Sequence, residues 1–164
     1  MSTTSKPESL VALLLSLSEQ LQALVPAPDP VEHALADVTA GCTKGTAVGV
    51  LHALFSDCDA ATDQRVLCIL KHLHGKFQFT YKELYYPLGR CALLGRLDTA
   101  RYLVEAFQLT ADDARASDNE ALRWSAAQGH LDTLRYLVET FQLTVRDARA
   151  RNNEALRMSA VNGH

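Results

Sequence analysis

The chain has 164 residues, of which 48% are hydrophobic and 21% are charged, so it is long enough for one domain with a sizeable core. Its formal net charge is −3 and it has no basic excess, which disfavours nucleic acid and anionic membrane surfaces as partners. The four cysteines form no Cys-x-x-Cys pair, and no convincing export signal precedes them. These features predict reduced thiols in a cytoplasmic protein. The cysteines are Cys42, Cys58, Cys68 and Cys91.

Residues 1–44 predict an N-terminal helical cap or extension. Leucines at helical spacing predict a first helix over about 5–25, while Glu8 and the polar residues within this run argue against a signal peptide. The run is also shorter than the roughly 20 apolar residues of a membrane span. The prolines of 26–30 predict a linker, followed by a second helix over about 30–39. We expect these helices to pack on the end of the remaining chain, or alternatively to dock a second protein.

The middle of the chain predicts helix pairs. Residues 45–56 and 62–74 predict two antiparallel helices, and the Phe-Gln-Phe-Thr sequence after them echoes the Phe-Gln-Leu-Thr found twice later. Residues 45–80 therefore read as a diverged copy of the later repeats. Pro87 predicts the start of a helix over 86–94. Three residues of that helix are expected to point inward: Leu88, Cys91 and Ala92.

Residues 97–130 and 131–164 are near-duplicates. The period is 131 − 97 = 34 residues, with 25 identical and 9 different positions. A period in this range predicts a stacked repeat array. The repeat predicts antiparallel helix pairs that span the boundary between copies, as over 119–128 and 131–141, with Gly129 ending the first helix. The second helix of this pair should place one apolar stripe toward the core: Leu131, Leu134, Leu137, Val138 and Phe141.

The segment between helix pairs contains no glycine for a tight β-hairpin. It contains Thr110-x-x-Asp113, and Thr144-x-x-Asp147 in the next copy, and this pattern begins many helices. We therefore predict short helical turns over 111–116 and 145–150.

Gly-His-Leu at 129–131, together with Leu122 and Ala126, resembles the ankyrin repeat, although Arg123 stands where that repeat carries histidine. The chain is similar to divergent ankyrin arrays of amoebae and large DNA viruses. This resemblance implies an all-α, ankyrin-like helical-hairpin solenoid over 45–164, with short helical turns in place of β-fingers and N-terminal capping helices. The tetratricopeptide repeat has the same period, but its Trp-x-x-Leu-Gly-x-x-Tyr spacing is missing.

The predicted array holds about three helical pairs and an unpaired last helix over 153–162. A further Leu-Asp-x-Leu helix would follow in an intact array, so we expect a truncated reading frame, an excised fragment or an array that continues through a partner. An unpaired helix should leave Leu156 and Ala160 exposed. Residues 145–164 are then expected to fray or to mediate self-association.

Two patterns invite a chemical interpretation. Cys68, His72 and His74 could form a thiol-dependent enzyme site, but they lack the ligands of a closed zinc site, and we expect neither metal nor cofactor. His130 and His164 recur in both copies, which indicates a structural role, as in the ankyrin repeat. The repeated arginines are expected to form exposed pairs with the repeated acids: Arg115, Arg149, Arg123 and Arg157 with Asp113, Asp147, Glu120 and Glu154.

Positions that vary between repeats are free to recognise a partner, whereas shared positions hold the stack. The ankyrin resemblance would place several variable positions on one concave face. Trp124, the sole tryptophan, could anchor an interface or belong to the core. We therefore expect a non-catalytic protein–protein interaction scaffold with an unidentified protein partner. The predicted partner-binding residues are Asp112, Ser117, Asp118, Trp124, Gln128, Arg146, Arg151, Asn152, Met158 and Asn162.

Overall fold

The computed structural model describes residues 39–56 and 63–164 of the chain. The helix predicted over 5–25 lies outside the described residues, as does the helix predicted over 30–39 apart from its last residue. Cys58 also lies outside them. Predictions for these segments stay predictions.

The regular secondary structure of the described segments is helical, and neither segment contains a β-strand. This finding confirms the predicted all-α class. The chain divides into two compact units, the first ending at Tyr85 and the second beginning at Tyr86. The predicted domain boundary after residue 44 is a different one and stays a prediction.

The first unit contains the predicted helix pair. Helix α1 spans Lys44–Ser56, helix α2 spans Asp63–Phe77, and the two pack against each other. A single 3₁₀ turn, Lys82–Leu84, follows and packs on α1. Buried side chains recur every three or four residues, as an amphipathic helix requires. They are Val50, Leu51, Leu54 and Phe55 on α1, and Val66, Ile69, Leu70 and Leu73 on α2.

The second unit contains two helix pairs and a last helix, and a four-residue helix precedes the second pair and the last helix. Its helices are α3 Leu88–Leu93, α4 Leu97–Ala106, α5 Ala111–Ala114, α6 Ala116–Ala127, α7 Leu131–Phe141, α8 Val145–Ala148 and α9 Ala150–Asn162. Helix α6 packs against α3 and α9, and α4 packs against α7, so equivalent helices of successive copies are neighbours. Leu88, Cys91 and Ala92 are buried as predicted.

Helices α5 and α8 occupy the connections where helical turns were predicted. At the start of α5, the backbone N–H of Thr110 donates to the Asp113 carboxylate at 2.9 Å. At the start of α8, Thr144 N–H donates to the Asp147 carboxylate at 2.7 Å. Both capping boxes are confirmed.

The same local geometry occurs in the first unit. Thr80 N–H donates to the Glu83 carboxylate at 2.7 Å, immediately before the 3₁₀ turn. Lys44 and Thr80, through hydrogen bonds, lower the pKa of Glu83 to about 2. A left-handed glutamine also ends the preceding helix in every copy, and its side-chain amide donates to the carbonyl three residues earlier. The pairs are Gln78 with Gly75, Gln108 with Glu105, and Gln142 with Glu139.

Helices α6 and α9 each contain a turn that the sequence analysis missed. Ser117, Asp118 and Asn119 all have φ between 53° and 60°, and the right-handed helix runs only after them. Residues 151–153 repeat this turn in the next copy. A left-handed residue other than glycine costs roughly 1–2 kcal/mol, so three in succession need compensating contacts.

The predicted core stripe of α7 is only partly correct. Leu137 and Phe141 are buried, but Leu131 is 59% exposed and Val138 is also exposed. Leu156 and Ala160 of α9 are exposed, as predicted for an unpaired helix. Leu131 and Val138 lie on the side of α7 where no further described helix packs, because α7 and α9 belong to the last copy.

Candidate interaction surface

The ten predicted partner-binding residues all reach the surface of the second unit. Eight are exposed, and Trp124 and Met158 are half-buried. The shared positions include side chains with no exposure, such as Leu103 and its counterpart Leu137. These ten sites are accessible, although variation between the copies does not by itself mark the surface, since Ala100 and Ala127 also differ from their counterparts and are buried. The exposed eight are Asp112, Ser117, Asp118, Gln128, Arg146, Arg151, Asn152 and Asn162.

Four of these residues form a continuous surface across two helices. Trp124 and Gln128 lie one turn apart on α6, and Met158 and Asn162 hold the same positions on α9. The side-chain amide of Asn162 donates to the carbonyl of Ala127 at 2.7 Å, next to Gln128. We call Trp124, Gln128, Met158 and Asn162 the variable row.

Trp124 is neither a core residue nor a fully exposed one. Its indole N–H donates to the Glu120 carboxylate at 3.2 Å, one turn earlier on α6. The polar edge of the ring is therefore satisfied within the helix, and half-exposed apolar area remains. A side chain of this kind is a common anchor at protein interfaces.

Arg90 extends the same surface and was missed by the sequence analysis. It occupies the position of Trp124 in the preceding copy, since 124 − 90 equals the 34-residue period, and it is exposed on α3. Comparison of only the two near-identical copies concealed it. Aligning Gly95 with Gly129 would have revealed the equivalence.

A second group of variable residues meets at the left-handed turns. The guanidinium of Arg151 lies 3.9 Å from the carboxylate of Asp118, and both side chains are exposed. An exposed pair of this kind contributes about 0–1 kcal/mol. The pair places Asp118 of one copy beside Arg151 of the next copy on the surface.

Arg123 holds the left-handed turn and is not part of an exposed face. It is 5% exposed, and it donates to the carbonyls of Asp118 and Ser117 at 2.8 and 3.0 Å. Its third contact is an ion pair with Glu154 of the next copy at 2.7 Å. The prediction of a solvated pair with a nearby acid is wrong for Arg123, because its partner is Glu154 of the next copy and α9 covers it.

Arg115 and Asp147 form a second bridge between the copies. Their guanidinium and carboxylate are 2.8 Å apart, and Asp147 is buried. The hydrogen bond from Arg115, and then that from the Thr144 backbone, lower the pKa of Asp147 to about 2. One carboxylate therefore caps its own helix and also ties it to the preceding copy.

His130 has the structural role that its recurrence predicts. Its Nε2 is 3.0 Å from the carbonyl oxygen of Leu93 in the preceding copy. A Cβ on Gly95 would lie only 2.5 Å from the imidazole, so the ring packs directly on that glycine. His164 packs in the same way on Gly129, whose left-handed φ of 71° ends α6 as predicted.

The residues of the rival enzyme site have separate partners in the first unit. His72 Nε2 lies 3.1 Å from the hydroxyl of Thr39. The imidazole of His74 stacks near Phe79, with ring centroids 6.5 Å apart, and burial lowers its pKa. Cys68 is a half-buried thiol on the same helix.

Within residues 39–56 and 63–164, no cluster of three or more His, Cys, Asp or Glu side chains could hold a metal ion. No helix of these two segments has the length and apolar character of a membrane span. Comparison of the chain with family models, with curated proteins and with solved structures gives no match.

Proposed function

We propose that this chain is a non-catalytic protein-interaction scaffold built from ankyrin-like helical repeats, and that the variable row is its binding surface. The 34-residue period and the packing of α6 against α3 and α9 support a repeat array. The observation that carries the proposal is the accessibility of the ten candidate sites, of which eight are exposed and Trp124 and Met158 are half-buried.

The composition of the variable row favours a protein partner. Trp124 supplies aromatic area, Met158 supplies a flexible apolar side chain, and Gln128 and Asn162 supply amide groups at the rim. Arg90 adds a cation at the other side of Trp124. An apolar centre with a polar rim is the usual anatomy of a protein–protein interface.

Substitution of Trp124 tests this proposal most directly. Trp124→Ala should weaken capture of specific partners from a cell extract by about thirtyfold, since an anchor residue contributes roughly 2 kcal/mol. Glu139→Ala is the matched control, because Glu139 is exposed on α7 outside the variable row. Equal recovery of the same proteins by wild type and Trp124→Ala, in quantitative mass spectrometry, would contradict the proposal.

An adaptor that recruits a second protein through its N-terminal helices is the alternative. Thr39 is buried, and it accepts a hydrogen bond from the Lys76 ammonium of α2 at 2.7 Å through its carbonyl. This contact favours a cap, because the end of the preceding segment is packed on α2. Deletion of residues 1–44 should therefore reduce solubility. A soluble variant that loses one partner would instead support the adaptor.

A thiol-dependent enzyme that uses Cys68 is the less favoured candidate. The contacts of His72 with Thr39 and of His74 with Phe79 support structural roles for both histidines. Reaction of the protein with a thiol reagent over a range of pH tests the candidate. An abnormally fast reaction of Cys68 with a low pKa would support the enzyme, and ordinary reactivity would support the scaffold.

A further inference from the structure

Glu120 and Glu154 hold the same position in successive copies, since 154 − 120 equals the 34-residue period. Both are half-buried, and both begin the right-handed part of their helix after a left-handed turn. Their contacts differ. Glu154 lies 2.7 Å from the guanidinium of Arg123 and 3.8 Å from that of Arg151. In the last copy, the glutamate at this position therefore joins one copy to the next.

Neither of these cations is present around Glu120. Gly89 occupies the position of Arg123 one copy earlier, and Ser117 occupies that of Arg151. Within the two segments that the structure describes, Glu120 is in no ion pair. Its carboxylate is therefore available for another contact.

The glycine also leaves room for the carboxylate of Glu120. Gly89 is buried in α3, which packs on α6, and a Cβ there would lie 3.0 Å from Oε2 of Glu120. The carboxylate thus lies directly on the Gly89 backbone, where a larger side chain would displace it. Its other oxygen, Oε1, accepts the hydrogen bond from the indole N–H of Trp124 at 3.2 Å. The close approach to Gly89 and the contact with Trp124 belong to one side-chain arrangement.

The counterparts of Trp124 in the other copies cannot repeat this contact. Met158 has no N–H or O–H donor in its side chain. Arg90 has Tyr86, and not a carboxylate, one turn before it. Among the three aligned copies, a glutamate followed one turn later by a tryptophan thus occurs only where the preceding copy supplies a glycine in place of arginine.

We propose that Glu120 is a positioning residue for Trp124, and that Gly89 permits this because it supplies no cation to bind the carboxylate. The inference rests on the proposed function, since it concerns the anchor of the variable row. The hydrogen bond selects one orientation of the indole among the rotamers open to a half-exposed side chain. Because the N–H is already bonded, the carbon surface of the ring remains for a partner, which favours an apolar side chain in that partner.

The sole tryptophan allows a test on the full chain without a partner. Its indole N–H gives one NMR signal, whose exchange with solvent is measured. Glu120→Ala should speed that exchange by about tenfold, the effect of one hydrogen bond to a charged group. Glu120→Gln keeps an oxygen acceptor and should stay within about threefold of wild type. Glu139→Ala, at an exposed carboxylate of α7, should leave the exchange unchanged.

Gly89→Arg tests the cause while Glu120 stays in place. The new guanidinium should bind the carboxylate as Arg123 binds Glu154, so indole exchange should rise by about tenfold, as in Glu120→Ala. In a chain that already carries Glu120→Ala, the same change should have no further effect. Circular dichroism establishes that each variant is folded. If Gly89→Arg does not fold, the comparison of Glu120→Ala with Glu120→Gln decides alone.

Partner capture separates this inference from the proposed function. Glu120→Ala should weaken capture of the proteins that depend on Trp124 by about threefold, since a released indole occupies one of about three rotamers at a time. Unchanged indole exchange in Glu120→Ala would overturn the inference. Full capture by Glu120→Ala of proteins that Trp124→Ala loses would also overturn it, and would leave the variable row intact. Equal capture by wild type and Trp124→Ala would instead overturn the proposed binding surface, and the role of Glu120 with it, even if indole exchange responds as expected.

Discussion

The two near-duplicate copies contain the same residues in different surroundings. Leu122 is 3% exposed in the first copy, whereas its counterpart Leu156 is 61% exposed in the second. Arg123 is buried in an ion pair, whereas Arg157 is exposed. The helices of both copies nevertheless have nearly the same bounds. The helix bounds are therefore similar in both copies, while the burial of Leu122 and Arg123 depends on the α9 helix of the next copy.

This difference has an energetic consequence for each shared position. In a repeat protein, stability is approximately the sum of terms within each unit and terms between neighbouring units. A substitution that affects only the first kind should cost the same in both copies. A substitution that removes contacts with the next copy should lower the free energy of unfolding in residues 97–130 and have almost no effect in residues 131–164.

The largest contrast is expected for the paired leucines. Leu122→Ala should lower the free energy of unfolding by about 2–5 kcal/mol, because it opens a cavity under α9. Leu156→Ala should change it by less than about 0.5 kcal/mol, because Leu156 is mostly solvated. Urea unfolding of both variants measures the contrast. Equal losses would mean that another element covers Leu156 in solution.

The paired arginines should show a smaller contrast of the same sign. Arg123→Gln should cost roughly 2–3 kcal/mol, because Glu154 loses its closer cation and the carbonyls of Ser117 and Asp118 lose a charged donor. Arg157→Gln should leave the free energy of unfolding nearly unchanged, because Arg157 is exposed. Urea midpoints compare them, and Arg123→Lys separates charge from geometry. Full stability of the lysine variant would contradict a requirement for the planar guanidinium.

The bridge between Arg115 and Asp147 should make stability depend on pH in one window. The carboxyl has an ordinary pKa of 3.8 when unfolded and a pKa of about 2 when folded, so the unfolded chain takes up the proton first. The contribution of the bridge is therefore complete above about pH 4 and is lost as the pH falls toward 2.

Asp147→Asn tests the origin of that dependence. Between about pH 5 and pH 2.5, wild type should lose more of its urea midpoint than the asparagine variant does. Glu139→Gln is the matched control, because Glu139 is an exposed carboxylate of the same unit outside the bridge. Identical pH profiles of wild type and Asp147→Asn would show that the bridge does not form.

Sequence patterns predicted those features whose causes lie within one copy. The bounds of α7 follow from its own apolar spacing and from the glycine turn before it, and both capping boxes follow from four-residue motifs. The accessibility of the ten candidate residues agrees with their variation between copies, but the buried Ala100 and Ala127 vary too, so variation alone did not identify the surface.

Features with causes in another copy were missed or mispredicted. Burial of Arg123 requires Glu154, which lies 31 residues later, and the left-handed turn at 117–119 depends on Arg123 in its turn. Exposure of Leu131 reflects the lack of a cover, which its helical spacing does not encode. The 34-residue period could have indicated these contacts between copies only if the helix faces that pack together had been known.

The smallest expected effect concerns the two helix caps, and it should be the same in both copies. Thr110→Ala and Thr144→Ala remove equivalent threonines, each from a box in which its hydroxyl also donates to the capping carboxylate. Each change should cost about 1 kcal/mol in urea unfolding, because a cap acts on the first turn of its own helix. Since a further copy follows α5 within the described residues, unequal costs would show that capping is coupled to stacking. Equal costs of the two threonine substitutions, together with unequal costs of Leu122→Ala and Leu156→Ala, would show that the first turn of these short helices is stabilised locally and not by stacking.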